Sequence, residues 1–126
     1  MKRNEFVAYL VEELLSPLGG VTARAMFGGF GIYKDGAIVG IVVDDELYLK
    51  VDETNKAEYE KMGSKPFSYK KNDGKNVAMS YWNISSEIIE NPKELLRLVE
   101  ESYEISLFLF VQERKRLVTN SSTARL

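Results

Sequence analysis

The chain has 126 residues, 44% of them hydrophobic and 29% charged, and a formal net charge of −2 at pH 7. That length fits one globular domain with its own core and is too short for two, and the composition is far from that of a disordered chain. It contains neither cysteine nor histidine, which excludes disulfides, thiolate nucleophiles, thiol or imidazole metal ligands and the commonest general base.

The opening segment, MKRNEFVAYLVEELLSPLGG, predicts a helix from about Asn4 to Ser16. Asn4 is its cap, Phe6, Leu10 and Leu14 recur at i, i+4 with Val7 and Val11 beside them, and Pro17 stops it before a Leu18-Gly19-Gly20 turn. Glu12 and Glu13 break the apolar stretch, so it reads as a soluble amphipathic helix and not as a signal peptide. No segment approaches the roughly 20 apolar residues of a membrane span, and a cytoplasmic protein is expected.

From Phe27 the period shortens from about 3.6 to 2. FGGFGIYK ends at Asp35-Gly36, a strong hairpin signal. AIVGIVV is apolar on both faces, as a central strand would be. After a tight turn at Asp44-Asp45, ELYLKVD alternates Leu47, Leu49 and Val51 inward with Tyr48 and Lys50 outward. A short helix follows from about Thr54 to Met62, ending at Gly63. PFSYKKNDGKNVAMSYW reads as a second hairpin around Asp73-Gly74, with Phe67 and Tyr69 on one side of its first strand and Val77, Met79 and Tyr81 alternating on its second.

Asn91, Pro92 and Glu94 mark the start of the last helix, whose buried stripe is Leu95, Leu98, Val99 and Ser102. The order α, three β, α, two β, α predicts a two-layer α+β sandwich with an antiparallel sheet. The domain is expected to occupy residues 1–112 and a basic, polar tail residues 113–126. Arg114, Lys115, Arg116 and Arg125 give 114–126 a charge of +4 with no acid, leaving −6 on the rest. Such a tail is either a solvated end or a contact for an anionic partner.

The glycines of RAMFGGFGIY, residues 24–33, fit neither a dinucleotide fingerprint nor a P-loop. Gly28, Gly29 and Gly31 lead into a strand, with no helix dipole to face a phosphate. They read as architecture, permitting a bend, a bulge or a closely packed ring. Arg24 either pairs or stacks within the fold or meets an anionic ligand. Asp44, Asp45 and Glu46 diverge on a tight turn and read as a solvated tip, not a cation site. No serine beside a base, carboxylate pair or metal-ligand spacing stands out, so no enzymatic activity, cofactor or metal is expected.

Lys65, Lys70, Lys71 and Lys75 against Asp73 give the second hairpin a local +3, flanked by Phe67, Tyr69, Tyr81 and Trp82. Either the lysines keep a strand edge soluble over core aromatics, or the group grips a nucleic-acid strand. With −6 on the body, direct nucleic-acid binding is expected to be weak or absent. ISLFLFV, residues 105–111, is apolar on too many sides for one buried stripe. Either the chain bends near Gln112 so that Leu117-Val118 cover it, or a partner covers Phe108 and Phe110, a second copy included. The expected partner surface is Arg24, Lys50, Lys70, Lys71, Lys75, Phe108 and Phe110.

Five segments in register, RAMFGGFGIY (24–33), LYLKVD (47–52), PFSY (66–69), MSYW (79–82) and NPKEL (91–95), resemble the N-terminal domain of the TfoX/Sxy family of competence regulators. The motif positions are Met26, Phe27, Gly28, Gly29, Gly31, Tyr48, Phe67, Tyr69, Tyr81 and Trp82. The resemblance covers about residues 5–105 and implies an α-β(3)-α-β(2)-α fold similar to secretion-chaperone-like domains. It further implies a non-enzymatic co-regulator of competence-type genes, working through a protein partner of the transcription-factor class, as members of the family do with the cyclic-AMP receptor protein. The expected form is stand-alone, without the C-terminal helical domain of longer relatives. The alternative reading is a nucleic-acid-associated protein using the lysine hairpin and basic tail.

Overall fold

Six strands form one antiparallel sheet, with the helices gathered against one face, in a computed structural model that describes residues 4–26 and 28–124, with side chains as far as Thr119. The N-terminal segment shows its cap: the Asn4 side-chain oxygen accepts from the Val7 amide at 2.9 Å. The single helix expected from Asn4 to Ser16 is corrected. Helix α1 (Glu5–Tyr9) widens into a π-turn over Leu10–Leu14 and then tightens into a 3₁₀ turn, Ser16–Leu18. The Leu15 amide donates to the Leu10 carbonyl at 2.9 Å. This five-residue step aligns Leu10 with Leu15, both fully buried, where a regular helix would have aligned Leu10 with the half-buried Leu14.

Strands β1 (Val21–Met26), β2 (Gly29–Lys34), β3 (Ala37–Val43) and β4 (Glu46–Lys50) make a meander. β1 was not expected, and it raises the predicted three strands to four. As an edge strand it pairs only with β2, and its inward positions Val21 and Ala23 are too small and too few to show a period in the sequence. The β2–β3 turn at Asp35-Gly36 has φ of 47° and 85°, and the β3–β4 turn at Asp44-Asp45 has φ of 50° and 60°. Both are two-residue turns of the primed hairpin kind.

Helix α2 (Lys56–Lys61) precedes the hairpin of β5 (Pro66–Lys70) and β6 (Asn76–Asn83), and β6 returns to pair with β4, giving the order β1-β2-β3-β4-β6-β5. A short turn of helix, α3 (Ser86–Ile89), leads to α4 (Pro92–Ala124). α4 packs on β3 and β4 through Leu95, Leu98, Val99, Ser102 and Ile105, and the Ser102 hydroxyl donates to the Lys50 carbonyl at 2.9 Å. Leu10, Leu15, Ile32, Val39, Leu47, Leu49 and Tyr59 complete the core. The α+β two-layer arrangement is therefore the one expected, with β1 and α3 added.

Beyond Ser106, α4 leaves the body. It passes Gln112 without a break, and every described side chain from Leu107 to Thr119 is exposed. Leu117 and Val118, 54% and 64% exposed, do not fold back as a cover. Residues 107–124 project by roughly 27 Å at 1.5 Å per residue.

Candidate functional site: the helix-free face of the sheet

Residues paired across neighbouring strands point to the same face. Ile32, Gly40, Leu49 and Trp82 lie in one register row and face the helices. The alternate row, Arg24, Gly31, Ile41, Tyr48 and Asn83, crosses five strands on the opposite face, and the pair Lys50–Tyr81 lies beside it. Among the described residues no helix covers that face.

Gly31 and Gly29 let this face pack tightly. A methyl group on Gly31 would stand 2.9 Å from a Tyr33 ring carbon and 3.0 Å from the Met26 sulfur, so the glycine is the floor on which both lie. One on Gly29 would stand 2.4 Å from the Val42 carbonyl oxygen. The Arg24 guanidinium sits over the Tyr33 ring, 5.8 Å from its centroid. The Lys50 ammonium sits 4.9 Å from the centroid of Tyr81 and donates to the Ser80 hydroxyl at 3.1 Å.

Among the described residues neither cation meets a carboxylate in an ion pair. Burial pulls the Lys50 pKa below its ordinary value, with Asp52 opposing. Burial pushes Tyr81 up, and Tyr33 adds to the shift, so the two ring pairs share one electrostatic neighbourhood. Tyr48 is pushed up to about 12, by burial first and then by the hydrogen bond it donates to Glu46 at 2.8 Å. Phe67 meets Tyr48 edge-on at 5.2 Å, and the exposed Tyr69 and Met79 carry the patch toward the second hairpin.

This arrangement holds two cations on aromatic rings, Arg24 exposed and Lys50 half-buried. Such a surface offers charge and ring contact suited to acidic or π-rich groups, and among the described residues no nucleophile is paired with a base on it. Among the described residues no three Asp or Glu side chains converge on a metal position. At the Asp44–Glu46 tip, Asp45 accepts from the Asn4 amide at 3.3 Å and Glu46 is engaged by Tyr48.

The expected partner surface falls into three places. Arg24 and Lys50 share the helix-free face; Lys70, Lys71 and Lys75 lie exposed at the tip of the β5–β6 hairpin; Phe108 and Phe110, each 59% exposed, stand on the projecting part of α4. Of the motif positions, Gly29, Gly31, Tyr48, Phe67, Tyr69 and Tyr81 line or floor the open face, joined by Met26 at the end of β1. Trp82 does not: it turns to the helices and packs edge-on against Tyr59, 6.4 Å between centroids. Gly28 occupies the β1–β2 turn with φ 78°, and Phe27 lies outside the described residues. Tyr33 escaped the reading of the sequence, although its position two residues after Gly31 in a strand signals a ring laid over a glycine. Tyr33 also lines a groove of about 410 Å³ between the β2–β3 turn and α4, closed on the helix side by Leu107 and Phe110.

A family model, TfoX N-terminal domain, matches residues 13–106, ending where α4 leaves the body. The chain is 29% identical over 99 residues to Protein Sxy of Escherichia coli, covering 79% of this chain and 47% of that protein. It is likewise 29% identical over 89 residues to DNA transformation protein TfoX1 of Aliivibrio fischeri, covering 71% of this chain and 42% of that one. The chain thus spans less than half the length of these curated relatives.

Proposed function

This chain belongs to the TfoX N-terminal domain family, and we propose that it is a non-enzymatic regulatory module that supports expression of competence-type genes in the cytoplasm. It does so by holding a protein partner of the transcription-factor class against the helix-free face of its sheet. The observation that carries this reading is the pair of ring-stacked cations, Arg24 over Tyr33 and Lys50 over Tyr81, left without carboxylates on an open face. Acidic side chains of a partner would complete them, and the aromatics between would supply contact area.

The test is a double Arg24→Ala, Lys50→Ala variant assayed for output from competence-type promoters and for urea unfolding. Output should fall at least about tenfold, as removal of paired interfacial charges usually requires, with the unfolding midpoint little changed. Full output from a folded double variant sinks the reading.

A second reading, nucleic-acid association, is favoured by one observation. Lys70, Lys71 and Lys75 are exposed beside Tyr69 at the tip of a hairpin. Its signature would be duplex or single-strand binding that weakens steeply with salt and is lost on replacing the three lysines by alanine.

A further inference from the structure

Helix α4 carries a second stripe about half a turn round from the buried one: Glu100, Glu104, Leu107, Val111, Arg114 and Val118, of which Leu107 also edges the groove beside the β2–β3 turn. Their spacing of 4, 3, 4, 3 and 4 residues is the heptad spacing of a two-helix coiled coil, with Leu107, Val111 and Val118 as its apolar members. Leu107 and Val111 are 38% and 46% exposed, and Phe108 and Phe110, both 59% exposed, flank the seam on either side. The charges along it are ordered, with Glu100 and Glu104 toward the body and Arg114, with Lys115 beside it, toward the projecting part. Among the described residues Glu100, Glu104 and Lys115 have no hydrogen-bond or ion-pair partner, and Arg114 only stacks over Phe110 at 5.9 Å.

We propose that this stripe pairs with the same stripe of a second copy, the two helices antiparallel about a two-fold axis level with Leu109. The order of charges selects that direction. A parallel pair would set Glu104 against Glu104 and Arg114 against Arg114. The antiparallel pair sets Leu107 opposite the second copy's Val111, and Glu104 opposite its Arg114 and Lys115. Glu100, one turn further out, falls level with the second copy's Val118 at the end of the paired stretch. Phe108 and Phe110 each meet their own counterpart on the two flanks, where they lose their contact with water. The sheets of the two copies lie on opposite sides of the paired helices, so neither body obstructs the other, and the interface is isologous and closed. The surface involved is the part of α4 beyond the family match together with the outer side of the turns before it. The pairing stands apart from the reading of the sheet face: a dimer with an idle sheet face, or the reverse, tells the two apart.

Sedimentation equilibrium at high micromolar concentration should give a dimer, and Leu107→Glu, at an exposed position, should give a folded monomer. Glu104→Lys, and separately the pair Arg114→Glu and Lys115→Glu, should each weaken the dimer at least about tenfold, since the two-fold axis doubles every lost pair. Combining the three should restore it. Direction is read by disulfides, which report cleanly in a chain without cysteine. Separately tagged Glu104→Cys and Arg114→Cys copies should cross-link to each other and not to themselves. Self-cross-linking, failure of the combined charge swap to rescue, or a wild type that remains monomeric would overturn the proposal. The last result would assign the stripe to another protein or to further residues of a longer chain.

Discussion

At two glycines an added methyl group would stand 3.0 Å or less from its neighbours, yet the two should respond to it very differently. At Gly29 the new carbon would lie 2.4 Å from the Val42 carbonyl oxygen, roughly 1 Å inside the distance of about 3.3–3.6 Å at which carbon and carbonyl oxygen ordinarily meet. Val42 cannot retreat, because its backbone is held between Phe30 on β2 and Leu47 on β4. Gly29→Ala should therefore cost about 1–3 kcal/mol as overpacking does, after an offset of about 0.4–1 kcal/mol from a less flexible unfolded chain. At Gly31 the obstacles are side-chain ends, the Tyr33 ring at 2.9 Å and the partly exposed Met26 sulfur at 3.0 Å. Both can swing outward, so Gly31→Ala should cost less than about 1 kcal/mol. It should nevertheless displace Tyr33, with Arg24 above it, and so reduce partner binding. Urea unfolding followed by the fluorescence of Trp82, the one tryptophan of the chain, gives both midpoints at constant slope. A greater loss at Gly31 than at Gly29, or an unchanged midpoint for Gly29→Ala, refutes the reasoning.

Tyr59→Phe should be neutral or stabilising by up to about 1 kcal/mol. The buried hydroxyl makes no hydrogen bond of good geometry; a clear loss in thermal melting counts against this and would show that it donates to the Ser102 oxygen, which stays free to accept while its own proton goes to the Lys50 carbonyl at 2.9 Å. Above pH 10 the fold should weaken. Burial holds Tyr48, Tyr59 and Tyr81 above their ordinary pKa, so the unfolded chain releases those protons first and stability falls as pH rises through about 12 for Tyr48. Lys50, lowered by burial, has the opposite sign, but only below its unfolded pKa of about 10.4, so the tyrosines act alone above about pH 11, and a midpoint that climbs from about pH 11 to 12 refutes this. Arg97→Ala should strand Glu58, Glu94 and Glu101, which Arg97 meets at 2.9, 2.5 and 3.4 Å. At its partly exposed position the loss is about 1 kcal/mol near neutrality. It should shrink in acid, because Arg97 lowers the Glu94 pKa and that contribution is lost as pH falls; an equal loss at both pH values would contradict it.

Local chemistry alone determined several features of this chain. The Asn4 cap, the Asp35-Gly36 turn, the inward alternation of Leu47 and Leu49 and the buried stripe of α4 from Leu95 to Ser102 each follow from the residues that form them, and each stands where the sequence puts it. Those signals are short-range: a side-chain oxygen near an orphan amide, a left-handed turn, a period of 2 or 3.6. What required the tertiary structure was set by distant partners. β1 exists because β2 offers it an edge, although VTARAM has little strand signal of its own. The π-turn at Leu10–Leu14 exists because Leu10 and Leu15 must both enter the core. Arg24 and Lys50, 26 positions apart in the chain, share one face only because sheet register places them there, and Trp82 is turned away from that face by the same register. The direction taken by α4 after Ser106 was equally hidden. Whether ISLFLFV would be covered from within depended on whether the chain turned at Gln112. No residue there breaks a helix, so the helix ran on and left its apolar side chains in water.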